Sequence, residues 1–275
     1  IWHRMNETLV KYLAGLFDAD GSMSFSFRLG RNTSDHYYLS LHLNLATSDV
    51  IDKHHFIEGL AKEHGIGSFS RYGSEKQYCQ WTIGGSADLE MFMPRLIKYM
   101  LVKVRHAQRM LELRREKRGQ LLSVEQCDEL RAFTKASRYS EPGPIKPKNH
   151  PSWAWLAGYL DGNGSYVHFH TKCGAYKGKQ YFQWVTKISA ACHAEDADVF
   201  RFLQKSLGGV LFDRRPGAQT MIWTLSLGPK NASLALRVLP KLARYAKMKR
   251  HKINQMLHYH HQRLSALTPE GEATV

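Results

Sequence analysis

Leu13-Ala14-Gly15-Leu16-Phe17-Asp18-Ala19-Asp20-Gly21-Ser22 recurs later in the chain as Leu156-Ala157-Gly158-Tyr159-Leu160-Asp161-Gly162-Asn163-Gly164-Ser165. Leu13, Leu16 and Phe17, like Leu156, Tyr159 and Leu160, fall on one side of a helix at 3.6-residue spacing. The adjacent small residues Ala14-Gly15 and Ala157-Gly158 let another backbone approach closely, so the two motif helices are expected to pack on each other about a pseudo-twofold axis. Gly21 and Gly164 are expected to end the helices in left-handed geometry. Asp20 then sits at a helix C-terminus, where the dipole is negative and a carboxylate is destabilised unless a cation is present. That arrangement predicts a divalent metal, Mg²⁺ first, held by carboxylate, backbone carbonyl, water and phosphate oxygen.

The duplication runs well beyond the motif. After the first copy come alternating runs at 23–28 and 37–44, then a helical pattern at 49–64; after the second come runs at 166–171 and 180–187, then a helical pattern at 195–207. Gln80-Trp81-Thr82-Ile83-Gly84 matches Ile222-Trp223-Thr224-Leu225-Ser226, and Pro94-Arg95-Leu96-Ile97-Lys98-Tyr99 matches Pro240-Lys241-Leu242-Ala243-Arg244-Tyr245. Each copy closes on a basic helix, at 106–111 and 251–257. The predicted fold class is therefore α+β: two αββαββα repeats, each with an antiparallel sheet. The predicted boundaries are 1–120 for the first repeat, 121–150 for a linker containing an extra helix, 151–265 for the second repeat and 266–275 for a disordered tail. The prolines of 141–148 exclude helix or central strand there.

Lys and Arg number 39 against 24 acidic residues, a formal charge of +15 spread along the chain, which points to a polyanionic partner. The four cysteines form no CxxC pair, and neither His54-His55 nor His258, His260 and His261 has metal-finger spacing, so a disulfide scaffold and a structural zinc are both disfavoured. No apolar run reaches membrane-spanning length, and an intracellular, membrane-free protein is expected.

With these residues the chain resembles the LAGLIDADG homing endonucleases of the monomeric, double-motif type. The resemblance implies a saddle of two four-stranded sheets along the DNA major groove, a long asymmetric double-stranded target, and hydrolysis of one phosphodiester on each strand. It also implies a host intron, in a mitochondrion or chloroplast if the intron is organellar. Of the site, it implies that the last acidic residue of each motif holds metal, which is Asp20 in the first repeat but Asn163 in the second. The carbonyls of Ala19 and Gly162 would complete the metal shell, and a lysine from the following helix would order water: Lys103 in one repeat, Lys247 or Lys249 in the other.

Asn163 carries no charge, so it cannot hold an ion or activate its water as a carboxylate does. Three readings are open: decay to a nickase or a cleavage-inactive specific DNA-binding protein, a deliberate change, or compensation by Asp161, which lies about 200° around the helix. An intron RNA maturase is the alternative from another class.

For base reading, Ser24, Ser26, Arg28, Tyr38, Ser40, His42 and Asn44 alternate with an apolar set, giving one core face and one row of donors and acceptors. Arg71, Tyr72, Tyr181, Gln183, Lys187, Arg214 and Arg215 are further candidate DNA contacts. In the second repeat, counting from the motif glycine puts Val167, Phe169 and Thr171 outward and His168 and His170 inward. Either a bulge shifts that register, or this half reads DNA by apolar contact.

Overall fold

The computed structural model describes residues 5–31, 33–48, 51–73, 78–136, 151–176, 179–215, 217 and 219–265. They form two compact units, 1–150 and 151–275. Residues 137–150 of the predicted 121–150 linker, and the predicted tail at 266–275, lie outside the described residues.

The first unit runs α1 (Glu7–Asp20), β1 (Gly21–Leu29), β2 (Tyr37–Ser48), α2 (Ile51–His64), β3 (Ser68–Tyr72), β4 (Tyr78–Ile83), α3 (Ser86–Ile97), α4 (Val104–Glu116) and α5 (Val124–Ala136). The second runs α6 (Trp153–Asn163), β5 (Gly164–Tyr176), β6 (Lys179–His193), α7 (Ala197–Leu207), β7 (Val210–Asp213), β8 (Thr220–Ser226), α8 (Ala232–Tyr245) and α9 (Arg250–Ser265). Each unit holds one antiparallel four-stranded sheet, ordered β1-β2-β4-β3 in the first and β5-β6-β8-β7 in the second. This is the predicted αββαββα order, repeated.

Each motif helix starts on a side-chain cap: Asn6 Oδ1 accepts the Leu9 N–H at 2.8 Å, and Ser152 Oγ accepts that of Trp155 at 3.1 Å. Behind the first sheet, Phe17, Trp81 and Phe92 join α1, β4 and α3 through ring centroids 5.8 to 6.4 Å apart. The indoles of Trp81 and Trp223, at matched positions, donate to the carbonyls of Ile66 at 2.7 Å and Gly208 at 3.1 Å, so the same buried N–H is satisfied in the same way twice. Truncating either indole in so close-packed a core would cost about 3–5 kcal/mol.

Two expectations change, and the register of the second sheet is resolved. Gly21 and Gly164 are not left-handed; with φ of −68° and −99° both are extended, and the chain passes directly from helix into strand. Glycine is required there because a Cβ would lie 2.7 Å from the Phe17 carbonyl oxygen at one position and 2.5 Å from that of Leu160 at the other. The extra helix, α5, is part of the first unit rather than a linker: Cys127, Leu130 and Phe133 cover Phe25, Phe27 and Leu39 on the sheet, and the Arg131 guanidinium lies 4.7 Å over the Phe27 ring. Finally, β5 and β6 pair without a shift from Gly164 to Lys172, the irregularity coming only between Lys172 and Gly174. His168 and His170 therefore do face the helix side of the sheet, stacked on Trp184 at 4.5 and 5.0 Å, and His260 is buried.

Candidate active site and nucleic-acid interface

At the end of each motif helix the same small construction appears. Asp18 is buried in α1, and its carboxylate accepts the backbone N–H groups of Leu101 at 2.7 Å and Lys103 at 2.8 Å. This ties the turn before α4 to the end of α1. Lys103 then reaches back, and its ammonium donates to the carbonyls of Phe17 at 3.0 Å, Ala19 at 3.3 Å and Gly21 at 2.7 Å. In the second unit Asp161, also buried, accepts from the N–H groups of Lys247 at 2.7 Å, Met248 at 3.0 Å and Lys249 at 3.0 Å. The Lys249 ammonium donates to the carbonyls of Leu160 at 2.8 Å, Gly162 at 3.2 Å and Gly164 at 2.6 Å.

The logic is electrostatic. A helix C-terminus leaves carbonyls without partners and carries partial negative charge, and a cation there satisfies both. Three N–H donors on an ammonium meet three carbonyls. The side chain equivalent to Lys103 is thus Lys249; Lys247 is exposed and contributes its backbone N–H to Asp161 instead. Asp161, engaged by three backbone donors, serves as an anchor and is not placed to stand in for the missing acid. Asp18 and Asp161 were not singled out for this role from sequence, although they occupy the same place in both motif copies.

Asp20 is exposed at the last turn of α1, beside the Ala19 carbonyl. Carboxylate and carbonyl are hard oxygen donors at the negative end of a helix, which suits a hard divalent cation. At the matched position Asn163 is also exposed, and its Nδ2 donates to the Ala191 carbonyl at 3.0 Å, leaving the amide oxygen as its only donor toward a metal. The Ala19 and Gly162 carbonyls, though bonded to lysine, each keep a second lone pair. The donors at the end of α1 therefore suit a cation with a full carboxylate charge, and those at the end of α6 offer neutral oxygens alone. Away from the helix termini, His54, His55 and Glu58 come together on α2. The Arg71 guanidinium lies on the His54 ring, with Nε 3.0 Å from Nε2, and opposes a second cation there.

The outer face of the first sheet carries the predicted polar row in register: Ser24 pairs with His42, Ser26 with Ser40 and Arg28 with Tyr38. Its side chains are mutually arranged. Ser26 Oγ lies 2.6 Å from His42 Nε2, and Asn44 Oδ1 accepts from Gln80 at 2.8 Å and from Thr82 at 2.9 Å. Burial lowers the His42 pKa, so at neutral pH the ring is uncharged and keeps one donor and one acceptor. Tyr72 lies beside Tyr78, both exposed, with rings 5.5 Å apart. Arg71 differs: it pairs with buried Cys79, which puts its side chain on the helix side of the sheet against His54, not on the reading face.

In the second sheet Lys187 pairs with Val167 on the outer face, and Arg214 and Arg215 are exposed just after β7. Tyr181 and Gln183 lie on β6, with side chains outside the described residues. Gln80 and Thr82, central to the first polar network, were not among the candidate contacts; the period-2 continuation of the polar face through β4 was the signal available.

Residues 13–109 match the LAGLIDADG endonuclease family. No curated protein sequence matches the chain. In fold the chain is similar to the meganuclease I-SmaMI bound to uncleaveable DNA, with a TM-score of 0.69 and 20% identity over 95% of this chain and 92% of that one. It is similar also to I-SmaMI bound to an uncleaved DNA target in the presence of calcium ions, at a TM-score of 0.66 and 22% identity over 95% and 94% of the two chains. The LAGLIDADG homing endonuclease I-GzeII in complex with a DNA target matches at a TM-score of 0.67 and 14% identity, over 96% and 94%.

Proposed function

From the match of residues 13–109 to the LAGLIDADG endonuclease family, we propose that the chain belongs to that family and is a site-specific double-stranded DNA endonuclease with two unequal catalytic halves, one of which cuts its strand much faster than the other. The observation that carries this reading is the duplicated helix terminus, alike in its lysine and buried aspartate and different in one carboxylate, Asp20 against Asn163.

Each part has a chemical task. Asp18 and Asp161 fix the turns that deliver Lys103 and Lys249. The two ammonium groups hold positive charge at the helix termini, where they order water and oppose the charge that builds on a phosphate under attack. Asp20 and the Ala19 carbonyl would hold a divalent cation, for which we propose Mg²⁺; Asn163 and the Gly162 carbonyl would hold one by neutral oxygen alone. When bound, such an ion neutralises phosphate charge and lowers the pKa of its water. The Asn163 half lacks the charge to retain the ion, so its strand is cut slowly.

Base selection is assigned to the outer sheet faces. The two faces differ residue by residue, so the target is asymmetric. The test is incubation of the chain with a randomised duplex library and Mg²⁺, followed by strand-specific sequencing of the products. Recovery of one long asymmetric site, broken mainly on one strand, is expected. If no duplex is retained or broken while an intron RNA is bound tightly, the nuclease reading is wrong and the maturase reading replaces it.

A further inference from the structure

The two outer sheet faces can be compared position by position, because the strands pair in the same register from the motif glycines onward. Val167, Phe169, Val185, Val210, Phe212 and Ile222 stand where the first sheet has Ser24, Ser26, Ser40, Ser68, Ser70 and Gln80. Every one of these exchanges replaces a hydrogen-bonding side chain by an apolar one. They are not core residues: Phe169 is 43%, Phe212 44% and Val210 60% exposed, while the intervening Tyr166, Ile188, Trp223 and Leu225 are buried on the opposite face.

An exposed apolar face of this extent costs solubility unless something covers it. The occupant follows from continuity. The matched face of the first sheet is a row of donors and acceptors, and on the second sheet Lys187 and Thr224 still interleave with the apolar side chains, while Arg214 and Arg215 lie at the end of β7. Cationic side chains around a strip of valine, isoleucine and phenylalanine suit a duplex better than an apolar protein surface. On the floor of the major groove one group alone is apolar, the C5-methyl of thymine.

We infer that the second sheet recognises its half of the target through thymine methyl groups, whereas the first recognises the other half through hydrogen bonds. This rests on the DNA-reading role proposed above. The preferred second half-site is then rich in thymine, on either strand, at the steps under β5, β6 and β7.

The experiment uses the full chain with Ca²⁺ and the duplex it selects from a randomised library. Thymines are replaced by deoxyuridine, which removes the methyl and leaves base pairing intact, in one half-site at a time. Uracil in one half should weaken binding by about fourfold for each methyl contacted, the transfer value of one buried CH₂ group. Uracil in the other half should leave binding unchanged. The double variant Phe169→Ser, Phe212→Ser, which installs residues the first sheet already carries at these positions, should lose the sensitivity and keep its fold. Equal effects in both halves, no effect in either, or a variant as sensitive as the parent would each overturn the inference while leaving the nuclease reading intact; failure to retain any duplex would overturn both.

Discussion

Replacing Asp161 by Asn keeps size and shape and removes one charge from a buried position. The carboxylate accepts three backbone N–H groups, two at Oδ2 from Lys247 and Met248 and one at Oδ1 from Lys249. The better amide orientation keeps its oxygen at the Oδ2 place and turns Nδ2 toward the Lys249 N–H, donor against donor. Losing that charge-assisted bond costs about 1.5–3 kcal/mol, and leaving the backbone N–H unsatisfied adds about 1–3 kcal/mol. Asp161→Asn should therefore destabilise the second unit by about 2.5–6 kcal/mol. Tryptophan fluorescence during urea unfolding is the assay, since Trp153, Trp155, Trp184 and Trp223, four of the six tryptophans, lie in that unit. The same substitution frees the turn that carries Lys249, so strand cutting should fall along with stability. A shift under about 1 kcal/mol, with cutting unchanged, would refute the claim that Asp161 anchors this site.

Other consequences can be checked separately. Gly21→Ala and Gly164→Ala should each cost about 1–3 kcal/mol or more in unfolding experiments, because the new methyl meets helix backbone with no room to move. Lys249→Met should lower cutting on the order of a hundredfold, the effect of losing a fixed charge donor, whereas Lys247→Met should leave the rate near that of the parent; the reverse order would assign the role to Lys247. Burial lowers the pKa of both His168 and His260 from 6.5, and His168 further depresses that of His260. Above pH 6.5 these rings are neutral folded or unfolded; as pH falls below it the unfolded chain takes up protons first, so the second unit should lose stability between that point and the lower folded values. Thermal midpoints at pH 7.5 and 5.5 measure this loss, and His260→Met should reduce it.

The fold was largely legible because duplication doubles every weak signal. One Trp-Thr step or one Leu-Ala-Gly triplet says little, but matched copies in the same order leave one topology. The first reading face was equally plain, since Ser24 to Arg28 and Tyr38 to Asn44 alternate cleanly. In the second repeat that contrast fails, because Val167 and Phe169 look like core residues while His168 and His170 look like surface; only strand pairing shows which way each points. The lysines illustrate a different limit. Lys247 and Lys249 are separated by one residue, and which of them reaches the helix terminus depends on how Asp161 pins the turn, a contact across most of a repeat. Arg71 reads as a DNA contact by charge, but its register partner is buried Cys79, so it belongs to the helix-facing side. The motif glycines were placed correctly for the wrong reason: steric closeness to the preceding turn, not a left-handed backbone, demands them.

One carboxylate separates the two catalytic halves, and the decisive measurement follows both strands of the selected target, each labelled at a different end, in Mg²⁺ with the chain and with Asn163→Asp. The chain as it stands should nick one strand, and both strands should be cut at comparable rates once the second carboxylate is present. Equal cutting of both strands by the parent chain, or an Asn163→Asp variant that still breaks only one, would contradict it.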